Sequence, residues 1–126
     1  MKRLIIPGRL PGLNEYIAAE RQHRQKAAKL KREAEDRVLW CARSCLRGWK
    51  ARGPVVMRYT WYEPDRRRDK DNVSGYGRKI IQDALVKGGY LHNDGWADII
   101  GFSDAFAVDK NHPRIEVEIE KERAET

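Results

Sequence analysis

The side chains able to act on a phosphodiester concentrate in two short stretches, EPDRRRDKDN at 63–72 and HND at 92–94. Asp69 and Asp71 stand two residues apart, so an extended chain sends both carboxylates to the same side, close enough to share one cation. Two such charges repel, and a divalent ion resolves the repulsion. Mg²⁺ takes hard oxygen ligands, commonly one or two carboxylates completed by water and substrate phosphate. Asp94 offers a third acidic group from a polar turn, with Asn93 beside it to orient a water. An ion held there would activate water for attack on phosphorus, while Arg66, Arg67, Arg68 and Lys70 would hold flanking phosphates.

Each of these residues also has a plainer reading. An Asp-x-Asp pair commonly caps a turn or pairs with a nearby arginine, and three consecutive arginines could simply neutralise the aspartates. Against this, so many charges in one loop after an apolar strand is an unfavourable arrangement for a purely structural turn. His92 could be a general base or a further ligand, or an exposed loop histidine. The Gly75-Tyr76-Gly77 element lacks the strand-turn-helix context and third glycine of a nucleotide-binding loop. The residues alone leave the catalytic and structural readings of the loop open.

Around these stretches the chain alternates strand and helix patterns. Arg3 to Ile6 reads as a short strand closed off by Pro7-Gly8 and Pro11-Gly12. Asn14 then stands where a helix N-cap would. From Glu15 to Arg47 there is no Pro or Gly, and Ala27, Leu30, Ala34, Val38, Cys41, Cys45 and Trp49 recur at three- or four-residue steps. That predicts a long amphipathic helix with one break near His23. Val55, Met57, Tyr59 and Trp61 alternate with other residues as in a strand, 63–72 reads as loop, and Lys79 to Lys87 as a short helix ended by Gly88-Gly89. Residues 97–108, with Ile100, Phe102, Phe106 and Val108 on one parity, and 114–120, with Ile115, Val117 and Ile119 inward, predict two antiparallel strands joined by a turn. The tail 120–126 is expected to fray. The fold class is α+β: a small mixed or antiparallel sheet of about four strands, one long basic helix and one short helix, in a single domain spanning 1–126.

Charge narrows the partner. The 126 residues carry a net +7, which suits work against a polyanion, nucleic acid first. The excess sits in the long helix, where residues 21–52 hold eleven Lys or Arg against Glu33, Glu35 and Asp36. This face could be a DNA-backbone track, with Lys29 and Arg32 on it, or a solvated surface with pairs such as Glu33 with Arg37. No apolar run is long enough for a membrane span or a signal peptide, so a cytoplasmic location is expected. Cys41 and Cys45, too few for a Cys-rich zinc site, are expected as buried, reduced thiols. Among Trp40, Trp49, Trp61 and Trp96, which could be core, Trp96 joins Tyr90 as a candidate for stacking on unpaired bases.

Taken together, Arg66-Arg67-Arg68-Asp69-Lys70-Asp71-Asn72, then Lys79, then Asp83-Ala84-Leu85, then Asp94 resemble the RusA family of Holliday junction resolvases, of the phage and prophage type. The Pro-rich turn leading to Asn14 is similar to that family's opening. Shorter members place a catalytic Lys three residues after the Asn, where this chain has Gly75. Aligned from Asp83-Ala84-Leu85, Lys79 takes that position, with the extra residues placed in a flexible 75–77 stretch. The resemblance implies a crossover junction endodeoxyribonuclease for recombination and repair, acting as a homodimer that resolves four-way junctions by paired symmetric nicks. It implies Mg²⁺, with Mn²⁺ as a substitute, held by Asp69, Asp71 and Asp94 with Lys79 assisting. Asn14, Asn72, the Arg66 to Lys70 run, Lys29 and Arg32 would touch DNA, and no small-molecule cofactor or membrane is involved. The competing expectation is a basic DNA- or RNA-binding protein without catalysis, in which the aspartates only organise the arginine loop.

Overall fold

The computed structural model describes residues 1–121; of the tail 120–126 expected to fray, Glu120 and Lys121 are held in the last strand, and the rest lies outside the described residues. The elements in chain order are β1 (Lys2–Pro7), α1 (Leu13–Gln22), α2 (Arg24–Cys45), β2 (Val55–Glu63), α3 (Lys70–Lys87), β3 (Ile99–Val108) and β4 (Arg114–Lys121). They form the expected α+β fold around a four-stranded mixed sheet of order β1-β4-β2-β3.

Strand alternation decides the two faces of the sheet. Leu4 and Ile6, Ile115, Val117 and Ile119, and Met57, Tyr59 and Trp61 are all buried and pack with the helices. On the opposite face Glu118 and Glu120 pair across strands with Arg3 and Arg58, and Glu116 pairs along β4 with Arg114, so acidic groups meet basic neighbours instead of repelling.

The 97–108 and 114–120 segments do run in opposite directions, but they are not paired with each other. β2 lies between them, antiparallel to β4 and parallel to β3. The reason is visible in β2 itself: Met57, Tyr59 and Trp61 are among the largest buried side chains, and a strand this apolar is best placed inside the sheet, where both edges are satisfied. β3 is left on a rim, and its Ile100, Phe102 and Val108 are exposed instead of buried.

The predicted long helix is two helices, with the break at His23, whose extended backbone (φ −165°) ends α1 and whose Nδ1 caps α2 by accepting from the Gln25 amide at 3.0 Å. Gly12, not Asn14, is the N-cap of α1. Among the described residues Arg37 pairs with neither Glu33 nor any other acid; its guanidinium donates to the carbonyls of Pro7 and Arg9, fixing the turn after β1 to α2. Cys41 is half-buried and Cys45 exposed, so only the first approaches the expected burial. Of the tryptophans, Trp61 is core and Trp49 packs against it, whereas Trp40 and Trp96 are exposed.

The largest departure is α3. It begins at Lys70 and passes through Gly75 and Gly77 without interruption, where loop and then a short helix from Lys79 were expected. Two glycines in a helix cost roughly 2 kcal/mol against alanine. The apolar face offsets this, because Val73, Tyr76, Ile80, Ile81, Ala84 and Leu85 are all buried. Gly77 is there for contact: a Cβ on it would come within 2.7 Å of the Trp61 ring. Among the described residues no helix is long and apolar enough to cross a membrane.

Candidate functional site

The start of α3 carries the first cluster. Asp69 is its N-cap, with an extended backbone (φ −63°, ψ 154°), and Asp71 lies in its first turn. The extended Asp-x-Asp geometry expected from spacing is therefore absent; the two carboxylates sit at a helix N-terminus. Asp69 makes no side-chain capping bond, so its carboxylate is not committed to the helix. Both residues are exposed and line one open cleft of about 1050 Å³ together with Glu63, Asp65, Arg66, Lys70 and the β3 end Phe106–Val108. A cleft so wide and so charged suits a polymer backbone better than a small molecule, whose pockets are enclosed and mostly apolar. A cation placed there meets the positive end of the helix, worth about half an elementary charge, and two carboxylates outweigh that.

The basic run divides by function. Arg66 and Arg67 are exposed, Arg67 lying 3.7 Å from Asp65, and the Lys70 ammonium lies over the Phe106 ring at 5.6 Å. Arg68 instead turns inward. Its guanidinium, 13% exposed, grips both oxygens of Glu63 at 2.9 and 3.0 Å and donates to the Leu10 carbonyl. Glu63 also accepts from Arg9 at 3.1 Å. Burial alone would raise the Glu63 carboxyl, and the two arginines outweigh it, holding the group below the usual carboxylate range. This clamp fastens the loop to the end of β2 and to the turn before α1.

Asn14 and Asn72 meet as a second fastening: Asn72 Oδ1 accepts the Asn14 backbone N–H at 2.8 Å. The approach is so close that a Cβ on Gly12 would fall 2.6 Å from the same oxygen. Both asparagines are thus engaged with each other across the α1–α3 seam.

Lys79 belongs to a different cluster. Its Nζ lies 3.1 Å from Asp83 and 3.7 Å from Asp94, so the surface pair with Asp83 and the proximity to Asp94 occur together. Burial raises Asp83, but hydrogen bonds from Lys31 and Lys79 outweigh it and hold the carboxyl below its ordinary value. Because 75–77 is helical, Gly75 and Lys79 are one turn apart on one face: the extra residues form an added helical turn, where a flexible stretch was expected.

Asp94 lines a smaller cleft of about 320 Å³ with Gln82, Trp96 and the β3 start Ile99–Phe102. Because α3 and β3 run in opposite directions, the larger cleft lies by the start of α3 and the end of β3, and the smaller one by Gln82 and the start of β3. Arg78 reaches from α3 to β3, 3.0 Å from Asp104 and stacked 4.5 Å over Phe102. Asp71 and Lys79 are eight residues apart on α3, a rise of about 12 Å. The structure accordingly brings Asp69 to Asp71 and Lys79 to Asp94 but does not gather all three aspartates, and among the described residues no group of three His, Cys, Asp or Glu could hold a metal. His92 is exposed and turns to Asp98, 3.6 Å away. Lys29 and Arg32 are exposed on α2, Lys29 only 3.8 Å from Glu33. Tyr90 is half-buried against the core, and Trp96 is 98% exposed.

Glu63 was missed from sequence, although it shares the parity of Met57, Tyr59 and Trp61, a signal that it points inward. The contacts of Arg78 carried no such signal, since its partners Asp104 and Phe102 lie on a strand remote in sequence.

Compared with known proteins, the chain is similar along nearly its whole length to one family: a model described as Endodeoxyribonuclease RusA matches residues 10–120. No curated protein matches it significantly.

Proposed function

Because this chain belongs to the RusA endodeoxyribonuclease family, and so is a DNA-cleaving enzyme of the Holliday junction resolvase kind, we propose that it resolves four-way junctions as a homodimer, by paired symmetric nicks that require Mg²⁺. The observation that carries this reading is the open cleft in which Asp69, whose side chain makes no capping bond, and Asp71 lie beside exposed Arg66 and Lys70. The donor set fits a hard divalent cation, which needs only one or two protein carboxylates when water and phosphate complete its shell.

In this reading Asp69 and Asp71 would hold the ion, and Asp94, which is not gathered with them, contributes through its hold on the Lys79 ammonium. When bound, Mg²⁺ supplies Lewis-acid charge to the scissile phosphate and acidifies the attacking water, Mn²⁺ being able to substitute. Lys79 sets a fixed ammonium, held by Asp83 and Asp94, against the negative charge that grows as phosphorus is attacked. Arg66, Arg67 and Lys70 grip flanking phosphates and orient the strand. Arg68 supports them from behind by holding the loop on Glu63, and the Asn14–Asn72 bond keeps α1 against the start of α3. Lys29 and Arg32 extend the phosphate track along α2. A junction has near two-fold symmetry, so two sites in fixed relation are needed for symmetric nicks.

The test is incubation of a synthetic four-way junction beside linear duplex, with and without Mg²⁺, read on a denaturing gel. Paired nicks confined to the junction and dependent on the ion are expected. Cleavage of flaps or forks alone would change the substrate, and metal-independent cleavage would remove the aspartates from the ion.

A further inference from the structure

The two rims of the sheet are built differently. β1 has six residues, begins Lys2-Arg3 and ends on Pro7, and charge with proline is how an edge strand is protected from pairing. β3, the other rim, has ten residues, IIGFSDAFAV, without Lys, Arg, Glu or Pro. Phe102 and Val108 on it are about half exposed, Ile100 nearly so, and among the described residues no strand covers its outer edge.

We propose that this edge pairs antiparallel with the same edge of a second copy of the chain, about a two-fold axis at Asp104, to give one continuous eight-stranded sheet. The sequence of β3 is a palindrome in side-chain size about that residue. Ser103 and Ala105 flank Asp104, then Phe102 and Phe106, then Gly101 and Ala107, then Ile100 and Val108. In a pairing centred there, each residue faces the one equally far on the other side, so phenylalanine meets phenylalanine, small meets small, and aliphatic meets aliphatic. A two-fold contact requires such self-complementarity; a strand built for an unrelated partner has no reason to mirror itself.

Charge at the axis agrees. Two facing aspartates would repel, but each Asp104 is already matched within its own chain by Arg78 at 3.0 Å and by the Trp61 Nε1 at 3.0 Å. The residues of the opposite parity, Ser103, Ala105 and Ala107, are small enough to let a second strand approach. The purpose of the pairing rests on the two-site reading above; its geometry does not.

The experiment is sedimentation of the full chain together with disulfide mapping in a Cys41→Ala, Cys45→Ala background. The wild type should sediment as a dimer, and Phe102→Glu as a monomer with an unchanged circular dichroism spectrum. Ser103→Cys with Ala105→Cys should give a covalent dimer on oxidation. Ser103→Cys alone should give none, because in this register residue 103 faces 105. A monomeric wild type, or a dimer that neither Phe102→Glu loosens nor the paired cysteines trap, overturns the proposal. Junction cleavage measured on the same samples separates the two ideas: paired nicks from a dimer joined elsewhere leave the resolvase reading standing. A β3-linked dimer that cuts no junction supports the interface and sinks that reading.

Discussion

The ammonium of Lys79 lies 3.7 Å from a carboxylate oxygen of Asp94, which joins the middle of α3 to the turn before β3. Asp83 holds the same ammonium at 3.1 Å, so the charge is positioned from two sides while remaining exposed. An ammonium fixed in this way can oppose developing charge without reorganising first. Lys79→Ala should therefore lower junction cleavage at least ~100-fold, the scale of removing one preorganised electrostatic group, with little change in junction affinity. Single-turnover cleavage and gel-shift binding on the same junction check it. Wild-type kinetics would move the role to Arg78, the neighbouring cation on α3.

Asp71→Asn keeps the size of the side chain and removes one charge from the cleft at the head of α3. Cleavage in Mg²⁺ should be abolished while junction binding survives, or tightens slightly as a negative charge leaves the phosphate path. Asp69→Asn should behave alike, since its carboxylate is free of the helix cap. Full activity of either variant would remove that residue from the metal site. The readout is rate against Mg²⁺ concentration, with binding followed separately in Ca²⁺.

Glycine is normally the weaker choice inside a helix, and replacing it by alanine gains up to about 1 kcal/mol. At Gly77 the sign should reverse. A Cβ there would meet the ring of Trp61 at 2.7 and 2.8 Å, and Trp61 is fully packed between the sheet and α3. Overpacking of this kind costs about 1–3 kcal/mol, so Gly77→Ala should lower the melting temperature. Gly75→Ala, on the exposed side where a Cβ would meet only Leu13 at an ordinary 4.0 Å, should raise it. Thermal denaturation of the two variants beside the wild type decides the matter.

What could be read from the sequence, and what could not, follows from the range of the interactions involved. β2 and β4 were legible because alternation is a local pattern, and the break at His23 because it interrupts a local one. The pairing of β3 with β2 was not, because the order of strands depends on which one must be buried on both edges. The helix through 70–79 was hidden by two glycines, whose ordinary preference is overridden by the contact of Gly77 with Trp61 far away in sequence. The basic loop was recognisable as a site, but its internal division was not. Nothing local separates Arg68, which faces Glu63, from Arg66 and Arg67, which face solvent. Likewise the spacing of Asp69 and Asp71 suggested a shared ion for a geometrical reason that does not hold, since the chain there is a helix start and not a strand.

Lys29 and Arg32 test whether α2 touches DNA. Both are exposed, and Lys29 is only loosely paired, so reversing them to Glu should leave the fold intact. If they lie on the phosphate track, affinity for all DNA should fall, and the slope of log K against log salt should flatten by about 2, roughly one for each lost phosphate contact. Affinity measured across a salt series gives the slope directly. An unchanged slope would leave α2 as scaffold.

The Glu63 clamp makes stability depend on acidity in a defined direction. Its carboxyl is held below the ordinary value of 4.5 because hydrogen bonds from Arg68 and Arg9 outweigh burial. A group with a depressed folded-state pKa adds stability that is complete above the unfolded value and is lost as pH falls through the folded value. Glu63→Gln, which leaves half-buried Arg68 only the more distant and exposed Glu15 at 3.6 Å as a charge partner, should lower stability at pH 7 by about 2 kcal/mol, the scale of a hydrogen bond to a charged group. Below about pH 4.5 the gap should narrow, and once the wild-type carboxyl is itself protonated the two proteins should converge. Urea denaturation at pH 7, 5, 4 and 3 follows the gap. A difference that stays constant across that series would mean that the clamp stabilises by shape alone, and the loop bearing Arg66 and Asp69 would then owe its position to the Asn14–Asn72 bond instead.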